Sequence, residues 1–120
     1  MGVDMLNEEK EYRKVFFNHK RWAKHWTTPS AHRAHSSTIN FIKPAEKTFE
    51  FINKLNVESE KHFMEKVNML IEFYDKENTL ERSQGFIGSS FYGDAWRAIK
   101  KQKKKIESGK EATIFKMPKS

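Results

Sequence analysis

The chain has 120 residues, the length of one folded domain, and carries 23 Lys and Arg against 16 Asp and Glu, for a net charge of +7. It contains no cysteine, which excludes a disulfide framework and a thiolate zinc site. No apolar run approaches membrane-spanning length and the N-terminus lacks the apolar core of a signal peptide, so we expect a non-secreted, cytoplasmic or otherwise intracellular protein without a membrane partner.

The first predicted helix runs from about residue 8 to Trp26. Asn7 is a candidate N-cap, because its side chain can accept a hydrogen bond from a free N–H of the first turn. Pro29 ends the helix on the other side, since the residue before a proline avoids the α region. Its predicted apolar face consists of seven positions at helical spacing, Tyr12, Val15, Phe16, His19, Trp22, Ala23 and Trp26.

Two middle helices are predicted over residues 44–55 and 57–76, packed as a hairpin. Pro44 suits the first position of a helix, where its missing N–H costs nothing, and Asn56 suits the N-cap of the next. One continuous helix over residues 44–76 is the alternative. Residues 76–84 are predicted to form a polar connection. The inward positions are Ala45, Phe49, Ile52 and Leu55, followed by Phe63, Val67, Leu70, Ile71 and Tyr74.

The last predicted helix covers residues 90–107, with Ser89 or Ser90 as N-cap and Gly109 as the stop signal. Its apolar stripe is Tyr92, Ala95, Trp96, Ile99 and Ile106. Residues 110–120 form a tail that either docks as a short edge strand or is mobile. The sequence therefore predicts an all-α fold, a single domain over residues 1–120 with a bundle of about four helices.

Charge is distributed unevenly along the chain. Residues 45–84 carry six basic and nine acidic groups, whereas residues 85–120 carry nine basic and three acidic groups. Between Glu11 and Glu46 there are 34 residues without a carboxylate, among them seven Lys and Arg, four His and two Trp. Basic groups beside aromatic rings are typical of proteins that contact phosphate and stack on bases.

We therefore expect a small basic nucleic-acid-binding protein, DNA or RNA, with a two-part cationic surface and no sequence-specific motif. The first part comes from the first helix and the His-rich connector that follows it, residues 30–38, and the second part comes from the last helix. The alternatives are that the lysines form only a solvated face and that Trp22 and Trp26 are core residues. The residues assigned to nucleic acid are Arg13, Lys14, Lys20, Arg21, Lys24, Trp26, His32, Arg33, His35, Arg97, Lys100, Lys101 and Lys104.

A different class of function is the main alternative, a small interaction module that docks as an inhibitor or assembly factor on an acidic partner protein. His32 and His35 have metal-ligand spacing, but no carboxylate lies near them in sequence, so we expect no metal. The glycines from Gly85 to Gly93 match no phosphate-loop pattern, and no nucleophile has an evident base. We therefore expect neither an enzyme nor a cofactor nor a small-molecule substrate.

Overall fold

The helical spacing of the apolar residues is realised as four α-helices within the described part of the chain. The computed structural model describes residues 2–30, 39–56, 59, 61–85 and 90–110, with side chains from residue 8 in the first helix and residue 41 in the second. The described residues contain no strand, which confirms the all-α class; residues 111–120 of the predicted tail lie outside them. The helices are α1 (Gly2–Trp26), α2 (Ile39–Lys54), α3 (Phe63–Ser83) and α4 (Phe91–Glu107).

Successive helices alternate in direction, as in an up-down-up-down bundle. For example, α2 and α3 are antiparallel, because Lys47 contacts Glu77 whereas Phe51, one turn later in α2, contacts Phe73, one turn earlier in α3. Both α1 and α4 pack against all three other helices, so these two form the centre of the bundle. The side-chain pairs that give the order are Trp26–Phe41, Lys47–Glu77, Phe51–Phe73, Asn78–Ser90 and Asn68–Lys103.

Aromatic rings make up much of the core. Trp22 of α1 stacks on Phe91 of α4 with ring centroids 4.3 Å apart. Trp26 lies 5.0 Å from the ring of Phe41, which in turn contacts Phe91. All seven positions of the predicted apolar face of the first helix are buried, which confirms that face. The two tryptophans therefore join α1 to the amino-terminal ends of α2 and α4.

The starts of α1 and α2 differ from prediction. Because α1 begins at Gly2, Asn7 lies inside the helix and is not its N-cap. Likewise α2 begins at Ile39, so Pro44 lies inside the helix rather than at its first position. An interior proline removes one backbone hydrogen bond and crowds the preceding turn. The packing of Phe41 against Trp26 and Phe91 favours the extra amino-terminal turn despite this cost.

The predicted break between the middle helices is confirmed, but its details are not. Asn56 has a φ of 50°, a left-handed conformation that ends α2 in a turn. It does not cap the next helix, because α3 begins at Phe63 rather than at residue 57. The prediction that residues 76–84 form a polar connection was wrong, since α3 continues to Ser83. A polar sequence with a single apolar residue, Leu80, here forms the last turns of α3.

The predicted limits of α4 are confirmed to within one residue. Ser90 is the N-cap, and its Oγ accepts a hydrogen bond from the N–H of Gly93 at 2.9 Å and donates one to Oδ1 of Asn78 at 3.1 Å. A Cβ at Gly93 would lie 2.9 Å from that Oγ and 3.0 Å from that Oδ1, so this approach requires glycine. Gly109, with φ +80°, follows the end of the helix as predicted.

Candidate nucleic-acid interface

The outer side of α4 carries the densest positive charge in the described chain. Between Phe91 and Glu107 there are six basic and two acidic residues. Lys100, Lys101 and Lys104 are exposed, and no carboxylate of the described residues forms an ion pair with any of them. Lys100 Nζ lies 4.1 Å from the ring centroid of the half-buried Trp96. We call Arg97, Lys100, Lys101 and Lys104 the α4 cationic face.

Arg97 is the member of this face that is neutralised within the helix. Its Nη2 donates a hydrogen bond of 2.6 Å to Oδ1 of Asp94, one turn earlier. Lys103 points elsewhere, because its ammonium donates to Oδ1 of Asn68 on α3. Lys100, Lys101 and Lys104 therefore supply the charge of the α4 cationic face that no described carboxylate compensates.

Basic residues on α1 fall into two groups. In the middle of the helix, Arg13 lies 3.9 Å from Glu9 and over the ring of Phe63. Lys14 lies 3.1 Å from Glu11, so it too is compensated. Further along, Arg21 and Lys24 are exposed and make no ion pair with any described carboxylate, while Lys20 is half-buried. We call Lys20, Arg21 and Lys24 the α1 cationic face.

The two cationic faces point away from each other. His19 of α1 and Gln102 of α4 are in contact, with Nε2 3.3 Å from Oε1. At about 100° per residue, Arg21 and Lys24 lie roughly 140–160° around α1 from His19. By the same measure Arg97, Lys100 and Lys104 lie roughly 140–160° around α4 from Gln102. Arg21 and Lys24 of α1 are thus on the opposite side of the α1–α4 pair from Arg97, Lys100 and Lys104 of α4.

Trp26 is not placed to stack on a base. It is 6% exposed and its ring packs against Phe41, so the core interpretation of this residue is correct and its assignment to the nucleic-acid site was wrong. Trp22 is buried as well. Among the described side chains no Trp, Tyr or Phe is classed as exposed, and the exposed large apolar ones are Met64, Met69 and Leu80. His32, Arg33 and His35 lie outside the described residues.

A buried polar cluster at the centre of the bundle was missed by the sequence analysis. His19 is fully buried; its Nδ1 lies 3.3 Å from the hydroxyl of Tyr74, and its Nε2 contacts Gln102. In the neutral ring that satisfies both partners, Nε2–H donates to Gln102 and Nδ1 accepts from Tyr74. The signal was present, because Gln102 falls between Ile99 and Ile106 on the apolar stripe of α4.

Burial decides the charge of this cluster. Desolvation lowers the pKa of His19 to about 4, although the hydrogen bond to Gln102 acts in the opposite direction. Desolvation also raises the pKa of Tyr74, with a smaller contribution from Tyr92. Both groups are therefore neutral near pH 7, and His19 adds nothing to the positive surface of α1.

Negative charge collects on α3. Between Phe63 and Ser83 there are five acidic and three basic residues. Glu77 pairs with Lys47 of α2 at 2.8 Å. Burial raises the pKa of Glu81, and the neighbouring Glu77 raises it further. Helix α3 therefore carries a net negative charge and α4 a net positive charge, although the two helices pack against each other.

No protein-family model, curated protein or solved structure matches this chain. None of the described helices is both long enough and apolar enough to cross a membrane. Within the same described ranges, no three His, Asp or Glu side chains are grouped as metal ligands would be. Charge and exposure on α1 and α4 are therefore the observations that bear on function.

Proposed function

We propose that the protein binds nucleic acid through the phosphate backbone, with the α4 cationic face as the main contact. The observation that carries this proposal is that Lys100, Lys101 and Lys104 are exposed and form no ion pair with any carboxylate of the described residues. Lysine ammonium groups that neutralise phosphates release condensed counterions, and this release supplies most of the sequence-independent affinity for nucleic acid.

The arrangement of these lysines has a cost that phosphate would relieve. Lys100 and Lys104 are four residues apart and Lys101 and Lys104 are three apart, so both pairs face each other along the helix. Each like-charge pair destabilises a helix by about 0.2–0.5 kcal/mol. The carboxyl-terminal dipole offsets part of this for Lys104, which lies in the last turn. Neutralisation by phosphate removes the remaining repulsion, which favours binding.

Recognition of bases does not form part of the proposal. Stacking on single-stranded nucleic acid requires an exposed aromatic ring, and the described surface offers none. Trp96, the nearest aromatic residue, is half-buried and has Lys100 over its ring. We therefore expect sequence-independent binding, with duplex bound at least as tightly as single strands.

A salt titration of binding, measured by fluorescence anisotropy on a labelled duplex, tests the proposal. Three lysine–phosphate contacts give a slope of log K against log salt of about −2.7, and any further contacts make it steeper. The variant Lys100→Gln/Lys101→Gln/Lys104→Gln should bind more weakly, with the slope flattened by up to about 2.7.

The matched control is Lys54→Gln/Lys61→Gln/Lys76→Gln, which removes the same charge from exposed lysines outside α4. It should retain most of the affinity. Equal losses in both variants would show that overall charge rather than the α4 cationic face determines binding. Absence of binding to duplex and single strands at about 50 mM salt would refute a nucleic-acid partner.

The alternative of docking on an acidic protein is not favoured by the described surface. Such interfaces depend on exposed aromatic and arginine anchors. The described Trp, Tyr and Phe side chains are buried or half-buried, so exposed arginines such as Arg21 have no exposed aromatic anchors beside them, and Arg97 is paired with Asp94. A protein partner becomes the preferred hypothesis only if the salt titration shows no nucleic-acid binding.

A further inference from the structure

We propose that the protein bridges two separate duplex segments, holding one on the α4 cationic face and the other on the α1 cationic face. This inference rests on the proposed nucleic-acid function and extends it from binding to cross-linking. The observation behind it is that Arg21 and Lys24 on one face, and Lys100, Lys101 and Lys104 on the other, are exposed and form no ion pair with a described carboxylate. The two faces lie on opposite sides of the His19–Gln102 contact.

The α1 cationic face lies in a part of α1 that contains no acidic residue. From Tyr12 to Trp26, α1 carries five basic residues and no acidic one. The carboxylates that compensate Arg13 and Lys14 come from Glu9 and Glu11 in the preceding turn. Arg21 and Lys24 are three residues apart, so they lie side by side on the same outer surface.

Geometry prevents one duplex from using both faces. The described bundle measures 47 × 31 × 26 Å, so a strand that reached both sides would have to turn back within the width of the bundle. Duplex DNA is stiff over about 150 base pairs, and bending even 40–90° over 20–30 base pairs costs about 1–6 kcal/mol. The few exposed cations on each face cannot offset a reversal of direction. Two independent duplexes satisfy both faces without bending.

Bridging has a concentration signature that single-site binding lacks. At low protein concentration, each molecule with one face occupied can capture a second duplex on the other. When protein is in excess, every duplex is coated by separate molecules and few cross-links remain. The bridging signal should therefore rise and then fall as protein is added, while binding itself only saturates.

The experiment mixes donor-labelled and acceptor-labelled duplexes of about 20–30 base pairs and records energy transfer between them, together with anisotropy of one duplex alone. Wild type should give transfer that peaks at an intermediate protein concentration. The variants Arg21→Gln/Lys24→Gln and Lys100→Gln/Lys101→Gln/Lys104→Gln should each still bind duplex through the remaining face and lose the transfer. The control Lys54→Gln/Lys61→Gln/Lys76→Gln should keep it.

The outcomes separate the two proposals. No binding by anisotropy refutes the nucleic-acid function and the bridging with it. Binding by wild type without energy transfer refutes only the bridging. Transfer that persists at full strength in Arg21→Gln/Lys24→Gln also refutes it, since bridging would then come from association of two protein copies through some other surface. Sedimentation of that variant with and without duplex would identify such an association.

Discussion

Acidification should destabilise the bundle through His19. The ring is fully buried between Tyr74 and Gln102, and desolvation lowers its pKa from 6.5 to about 4, although the hydrogen bond that Nε2–H donates to Oε1 of Gln102 acts in the opposite direction. Protonation would place a positive charge in the core and convert Nδ1 from an acceptor to a donor. The Tyr74 hydroxyl, which donates to Nδ1 in the neutral state, would then have to reorient.

The magnitude follows from linkage between proton binding and folding. The unfolded chain protonates this histidine below pH 6.5, whereas the folded chain does so only below about pH 4. The stability that the neutral ring contributes is therefore complete above pH 6.5, decreases as pH falls through that window, and is lost by about pH 4. At 1.36 kcal/mol per pH unit the loss is about 3 kcal/mol, a large part of the 5–15 kcal/mol typical of a domain.

Urea unfolding followed by tryptophan fluorescence between pH 7 and pH 4 measures this loss, with His19→Gln as the comparison. Glutamine does not titrate, so the variant should be less stable at pH 7 but should depend less on pH. Glu81 acts in the opposite direction, because burial raises its pKa and its protonation favours the folded state as pH falls. The difference between the two proteins isolates His19, and an identical pH dependence in both would refute the reasoning.

Four further substitutions test the packing and the cap. Leu70→Ala removes a fully buried side chain and should cost about 2–5 kcal/mol, whereas Met69→Ala on the exposed side of the same helix should cost much less; equal melting temperatures would contradict the assigned core face. Ser90→Ala removes the N-cap acceptor for Gly93 and should cost about 0.5–2 kcal/mol by urea denaturation, and no change would mean that the cap contributes nothing. Trp26→Ala should cost about 3–5 kcal/mol in stability while the folded protein keeps the wild-type salt dependence of duplex binding; a flatter salt slope would show that Trp26 supports the interface after all.

The interiors of the helices could be predicted from the sequence because burial repeats at helical spacing. The stripe from Tyr12 to Trp26 is buried at every predicted position. The cap at Ser90 was also predictable, since a hydroxyl followed by an amphipathic stripe is a local signal. Local signals of this kind depend on a few neighbouring residues and do not require knowledge of the packing.

Helix ends that depend on packing could not be predicted in this way. Pro44 is a favourable first residue by propensity, yet the rings of Trp26 and Phe91 hold the preceding Phe41 in an additional turn. The polar end of α3 gave no apolar periodicity to extend the helix to Ser83. Tertiary contacts and backbone propensity, rather than the apolar pattern, set these boundaries.

The candidate site was predicted residue by residue but not in three dimensions. The helical pattern gives the outer side of α1 and of α4 separately, and it contains no information about which sides face each other. That relation comes from the contact of His19 with Gln102, two polar residues on otherwise apolar stripes. The same contact explains why Trp26, on the stripe with His19, belongs to the core rather than to the interface.

The contact of His19 with Gln102 also has a consequence for the order of folding. These residues are separated by 83 positions, whereas Asn78 and Ser90, which join α3 to α4, are separated by 12. Closing the longer loop costs about 2 kcal/mol more in chain entropy. The α3–α4 hairpin should therefore form before α1 packs against α4. Substitutions at the α1–α4 contact should then accelerate unfolding far more than they slow folding.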